Sequence, residues 1–248
     1  MARRRTSYYD YYPQFSQPSV SLLRQNAEES IAKAGKRGKT YHPVSPKGSG
    51  SKICVSWWGQ AWCTNMERYA DYANRLPRGK RYVASGTVLD LEITQGQVQA
   101  LVQGSRSTPY RVTISIDPLS PKKQEEIIAR CNSEIKDMED LIYGRFPESL
   151  KELFLARDGL FPSPRQIHMN CSCPDWATMC KHVAAVMYGI GIRLDDNPFY
   201  FFSLRGADVD SFVASALEGH VESMLKNADK MTDRVLPDSD ITELFGVL

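Results

Sequence analysis

Apolar residues recur along this chain in two periods, and each change of period marks an element. Trp58, Trp62, Met66, Tyr69, Ala73 and Leu76 follow one another at spacings of three and four, which stacks them on one helical face. Pro77 and Gly79 are expected to stop that helix. From Leu89 the period becomes two. Leu89, Leu91 and Ile93 alternate with polar residues, Gln95-Gly96 supplies a turn, and Val98, Ala100 and Val102 alternate again, as in an antiparallel hairpin. In a third strand Tyr110, Val112, Ile114 and Ile116 face one way and Arg111, Thr113 and Ser115 the other, so the sheet has one buried and one wet side.

Helical periods return after Pro118. Ser120-Pro121 reads as an N-cap followed by proline at the first helical position, and Ile127, Ile128, Cys131, Ile135, Met138, Leu141 and Ile142 form a stripe up to Gly144. Leu150, Leu153 and Phe154 continue as a shorter helix. Beyond Pro162 and Pro164 a brief strand is expected from Ile167 to Cys171. Two further helices follow, one with Val183, Val186, Met187 and Ile190 on a face, the other with Phe212, Val213, Ala216, Leu217, Val221 and Leu225. The expected class is α+β: a helix packed on an antiparallel sheet, then helices and a brief strand-and-helix unit with a helical C-terminal flank. The segments are a basic, largely flexible arm over 1–52 whose one apolar stretch lies near Val20–Ile31, helix plus sheet over 53–118, a helical linker over 119–165, the strand-and-helix unit over 166–206 and an acidic helical tail over 207–248.

The balance of residue types fits a soluble protein large enough for a sizeable core, with 248 residues, 42% hydrophobic and 24% charged. No apolar run reaches the roughly 18 residues of a membrane span, and Met1-Ala-Arg-Arg-Arg leads into tyrosines, not a signal-peptide core. A cytoplasmic location is expected. The net charge of +2 hides a gradient: residues 1–52 hold ten Lys/Arg and three Asp/Glu, whereas residues 166–248 hold six and twelve. Opposite charge at the two ends implies different partners for each.

Three of the six cysteines crowd into ten positions, which points to metal binding and away from a disulfide scaffold. The run is Cys171-Ser-Cys173-Pro-Asp-Trp-Ala-Thr-Met-Cys180-Lys-His182. Three thiolates and an imidazole suit tetrahedral Zn2+. Residues two apart on a strand point the same way about 6.5–7 Å apart, so a turn starting at Pro174 must draw Cys171 and Cys173 onto one ion. Cys180 and His182 converge only where a loop enters a helix, and the apolar period beginning at Val183 supplies that entry.

This run resembles the SWIM zinc finger, whose pattern is Cys-x-Cys, a variable gap, then Cys-x-His, with a common elaboration Cys-x-Cys-Pro followed by Cys-Lys-His. Every one of these positions is matched. Ser56-Trp57-Trp58-Gly59-Gln60-Ala61-Trp62, Arg78-Gly79-Lys80-Arg81-Tyr82 at the expected entry to the sheet, and Gln103-Gly104-Ser105-Arg106 are also similar to bacterial SWIM-domain proteins. The likeness runs from about Trp57 to Gly206. It implies that residues 166–206 form a small zinc-bound strand-and-helix finger of DNA- or protein-binding type, with a Swi/Snf-type helicase-like ATPase as partner.

Catalytic readings find little support. Four protein ligands close the zinc shell, whereas catalytic zinc keeps a position for water. There is no His-Glu-x-x-His helix and no Glu beside a ligand His. Asp175 is assigned to capping the Pro174 turn. A protease pair drawn from Cys173 or Cys180 with His168 or His182 would be silenced by ligation. Gly38-Lys39-Thr40 resembles the end of a phosphate loop, but Lys33 stands where its first glycine belongs.

Three basic features are expected to meet DNA or RNA: Arg3, Arg4 and Arg5; the cluster Lys33, Lys36, Arg37 and Lys39; and the polar sheet face with Arg106 and Arg111. Tyr8, Tyr9, Tyr11 and Tyr12 lie beside the first arginines, where they serve either base stacking or a disordered tail. Trp57, Trp58 and Trp62 are assigned to packing. Lys181 is expected to donate toward a ligand sulfur or solvent. Asp195, Asp196 and the acids after them read as a solvated face or a dock for a basic partner. The expected function is a non-enzymatic, nucleic-acid-associated adaptor that recruits or tunes the ATPase, with no small-molecule substrate. A pure protein scaffold, and a hydrolase or nuclease with an unrecognised site, are the alternatives.

Overall fold

The computed structural model describes residues 18–48, 52–68, 74–134, 145–156 and 159–208, with a few positions between 214 and 225. The elements in chain order are α1 (Val20–Gly35), α2 (Trp57–Glu67), α3 (Leu76–Ala84), β1 (Val88–Thr94), β2 (Gln97–Val102), β3 (Tyr110–Ile116), α4 (Pro121–Glu134), α5 (Lys151–Leu155), β4 (Ile167–Cys171), α6 (Lys181–Asp196) and α7 (Tyr200–Leu204). The fold is α+β. No helix among the described residues is long and apolar enough to cross a membrane.

All four strands are antiparallel neighbours in the order β1-β2-β3-β4. The hairpin turns at Gly96, whose φ of 69° is the left-handed conformation that favours glycine. One row across the sheet aligns Leu91, Ala100, Val112 and Cys171; the next aligns Glu92, Gln99, Thr113 and Asn170. Because side chains alternate, the first row faces the core and the second the open side. The register thereby turns the edge residue Cys171 inward.

Helix α6 is buried on nearly every side, from His182 through Ile192 and again at Leu194. The single apolar face read from Val183, Val186, Met187 and Ile190 is therefore too narrow. The sheet covers one side of this helix, and α2 and α3 cover others. Small residues allow the close approach: a Cβ at Gly79 of α3 would stand 2.4 Å from the Cβ of Ala184. Trp57, Trp58 and Trp62 pack, as expected, and donate their indole N–H groups to the carbonyls of Phe146, Leu194 and Met187 at 3.1, 2.9 and 2.8 Å.

Two corrections concern α1 and α3. Order begins well before Ile53: α1 buries Leu23, Ala27 and Ala34, and Ser19 caps it by accepting from Leu22 N–H at 3.2 Å. Val44 is buried too and donates its N–H to Val88 O at 3.1 Å. The arm expected over 1–52 thus holds a packed helix, α1, at its apolar stretch. Pro77, read as a stop, lies in the first turn of α3, where no N–H is required of it. The Arg78–Tyr82 segment, expected to lead into the sheet, is helix. The expected continuation of α4 to Gly144 and most of the Phe212–Leu225 helix lie outside the described residues.

Helix α4 contributes Ile127 and Cys131 to the core. Burial, with Glu134 nearby, pushes the Cys131 thiol up from 9.0 to about 12. Above pH 9 the unfolded chain loses this proton while the folded chain keeps it, so the stability is whole below that pH and declines as pH rises toward 12. Urea midpoints measured across this range are expected to fall, and less steeply in Cys131→Val. Parallel slopes would contradict it.

Candidate metal centre

Strand β4 ends at Cys171, Cys173 follows in the next turn, Cys180 is the N-cap of α6, and His182 lies in the first turn of that helix. Their ligating atoms all lie within 4.8 Å of one another. Nδ1 of His182 is 3.9 Å from the Cys171 sulfur and 3.8 Å from the Cys180 sulfur. Ligands about 2.3 Å from a shared tetrahedral ion stand about 3.7 Å apart, so this donor set fits a metal ion. The helix entry brings Cys180 and His182 together, as the spacing implied, and Nδ1 is the nitrogen that faces the thiols.

His182 is buried between aromatic rings, with Tyr110 at 4.4 Å and Tyr82 at 5.4 Å between centroids. Its Nε2 has no hydrogen-bond partner among the described residues. A Cβ at Gly104 would lie 2.5 Å from the Tyr110 ring and 3.2 Å from that nitrogen, so glycine preserves the space in which the imidazole turns Nδ1 toward the sulfurs.

The thiols compete for negative charge. Donation from Cys171, helped by His182 and the Val183 N–H, holds Cys180 down at about 3. Donating to Cys180, together with burial, pushes Cys171 well above the thiol range, and burial raises Cys173. A bound cation would relieve that competition, since metal ligation requires the thiolates. The remaining thiols are not drawn in: Cys54 and Cys63 approach to 3.6 Å without completing a second metal-ligand group among the described residues.

The loop from Pro174 to Met179 is tethered. Asp175 accepts from Ala177 N–H at 3.3 Å and pairs with Arg75 at 2.9 Å, which ties the loop to the start of α3 and agrees with a capping role. Lys181 differs from expectation. Its ammonium lies over the Tyr82 ring at 5.7 Å, and burial, with Arg78 nearby, lowers its pKa.

On the open side of the sheet lie two adjoining hollows of about 640 and 330 Å³. Both include Arg37, Lys39, Tyr41, Thr108 and Pro109. The larger adds Leu101, Arg111, Thr113, Asn170 and Ser172; the smaller adds Lys33. Among the described residues, no carboxylate belongs to either lining. Ser172 binds this groove to the metal centre: it sits between two ligands and exchanges hydrogen bonds with the Arg111 backbone at 2.9 and 3.0 Å.

The chain is 31% identical over 205 residues to the uncharacterized protein Rv2102 of Mycobacterium tuberculosis (strain ATCC 25618 / H37Rv), an alignment that covers 82% of this chain and 73% of that protein. The chain belongs to that protein's family. No protein-family model matches it, and no solved structure does.

Of the basic residues singled out by sequence, Lys33, Arg37, Lys39 and Arg111 converge on the groove. Lys33 also pairs with Glu29 at 3.4 Å. Lys36 is not in the lining, and Arg106 turns toward the Tyr110 ring at 6.0 Å. Arg3, Arg4 and Arg5, with the neighbouring tyrosines, lie outside the described residues. The sequence reading missed Tyr41, Asn170 and Ser172; only the position of Ser172 between two ligand cysteines signalled its place.

Proposed function

We propose that this chain is a zinc-stabilised, non-enzymatic binding protein of the SWIM finger type that holds nucleic acid in the groove beside its metal centre. Cys171, Cys173, Cys180 and His182 would hold the ion. Three thiolates and an imidazole favour zinc, and four protein ligands leave no position for a reacting water. The ion's role is then to fix the junction of β4 and α6. The helicase-like ATPase partner rests on the resemblance alone.

One observation carries the nucleic-acid reading: Arg37, Lys39 and Arg111, from segments distant in sequence, line one groove without a carboxylate among them. Such a surface selects a polyanion. Its hydroxyl and amide groups at Thr108, Thr113, Asn170 and Ser172 add neutral donors suited to phosphate oxygens.

The test is a titration of metal-loaded protein with single- and double-stranded DNA and RNA. Three neutralised phosphates correspond to a log–log salt slope of about −2 to −3, a loss of about 30-fold in affinity between about 50 and about 200 mM salt. Arg37→Ala, Lys39→Ala and Arg111→Ala combined should remove most of that binding while metal content stays unchanged. Binding that ignores salt, or no binding at low salt, would refute the reading and make protein recruitment the better one.

A further inference from the structure

Trp176 lies between Cys173 and Cys180 with 97% of its surface exposed, whereas Trp57, Trp58 and Trp62 are packed and hydrogen-bonded. An indole left almost wholly in water forgoes the large stabilisation its burial would bring and keeps both ring faces open to a partner. The loop beneath it is held at both ends by metal-ligand cysteines and in its middle by the Arg75–Asp175 ion pair. The ring is therefore presented on a short, anchored support.

The chain path bounds the distance from Trp176 to the cationic groove. Trp176 follows Ser172 by four residues, so their Cα atoms are at most about 14 Å apart. Ser172 lines the groove with Arg37, Lys39 and Arg111, and among the described residues its lining includes no carboxylate. An open aromatic face within that span of a cationic channel is what an unpaired strand can use: each base offers a π-face for stacking while its backbone follows the charge. Bases in a duplex are already stacked on one another and offer no such face.

We propose that Trp176 is a base-stacking platform that makes this chain selective for single-stranded nucleic acid, an inference that rests on the groove being the phosphate-binding site. The strand's backbone occupies the groove, and one base leaves it to lie on the indole. Selectivity for single strands then resides in Trp176, and salt dependence resides in the groove.

The experiment compares wild type, Trp176→Ala, Trp176→Phe and the groove triple variant, all as metal-loaded full chain, against labelled oligothymidylate and a duplex of the same length. Trp176→Ala should bind oligothymidylate about 5- to 100-fold more weakly, with its salt slope and duplex binding unchanged. Trp176→Phe should recover part of the loss, because a phenyl ring still stacks. Metal content confirms that each variant keeps its fold. If Trp176→Ala binds the single strand like wild type while the triple variant fails, the groove stands and the stacking platform falls. If neither change affects binding, the groove reading falls with it. Equal losses toward single strand and duplex would also overturn the proposal, as would a wild type that does not distinguish the two.

Discussion

Alanine at Cys173 is expected to strip the metal from the chain and to lower its melting temperature by about 10 °C or more. The side chain is only partly buried, so truncating it removes little packing. The loss comes from the ion, since metal binding to a site absent from the unfolded chain is folding free energy. About 4 kcal/mol would account for the shift in a protein of this size. His182→Ala should be worse, because it removes a ligand and also opens a void between Tyr82 and Tyr110. A finger confined to residues 166–206 would unfold alone. The structure argues for wider damage, because Cys180 and His182 begin the helix on which α2, α3 and the sheet all pack. Near-ultraviolet circular dichroism should therefore lose the signal of Trp62, which is packed against Phe161 and Phe201. Variants with wild-type metal content and melting temperature would refute the structural role of this centre.

The second large effect is expected at the other end of α6. Asp195 accepts the N–H groups of Val55 at 2.7 Å and Ser56 at 3.1 Å, and the Ser56 hydroxyl donates to it as well. Ser56 in turn accepts from Gly59 N–H at 3.0 Å, so one carboxylate organises the whole first turn of α2. Negative charge there also meets the positive end of the α2 dipole. Asp195→Ala leaves these donors unpartnered and should destabilise the protein by about 3–5 kcal/mol. Asp195→Asn keeps an acceptor and should fall between. Urea unfolding measures both, and metal content should remain that of wild type. A loss below about 1 kcal/mol would show that water replaces the carboxylate without penalty.

Asp195 also shows where reading the sequence reached its limit. It looked like part of a solvated or docking acidic run, yet its partners lie 140 residues away at Val55. The strands were legible because alternation at Leu89–Ile93, Val98–Val102 and Tyr110–Ile116 leaves only one way to bury a sheet face. The Cys/His cluster was legible because its four residues fall within twelve positions. Helix α1 showed only as a short apolar stretch near Val20–Ile31, since Leu23, Ala27 and Ala34 make a thin stripe inside a polar, basic segment. Pro77 misled because a proline that ends one helix and one that starts the next look alike without the chain's path. The groove escaped for a simpler reason: Arg37 and Lys39 meet Arg111 and Ser172 only after the sheet is paired.

The position of α6 has a consequence for synthesis. The chain emerges from the ribosome N-terminus first, so α2, α3, β1, β2 and β3 are made before residues 181–196, which cover their apolar surfaces. Until then Trp62, Leu91, Val98 and Val112 have no shared partner, and the nascent chain presents the sticky surface that chaperones bind. The candidate metal ligands arrive with the covering helix and enclose only a short loop, which closes at little entropic cost. Capture of the ion can thus coincide with closure of the core. Cells starved of that metal should accumulate this protein in the insoluble fraction, where a protein with a dispensable finger would remain in solution.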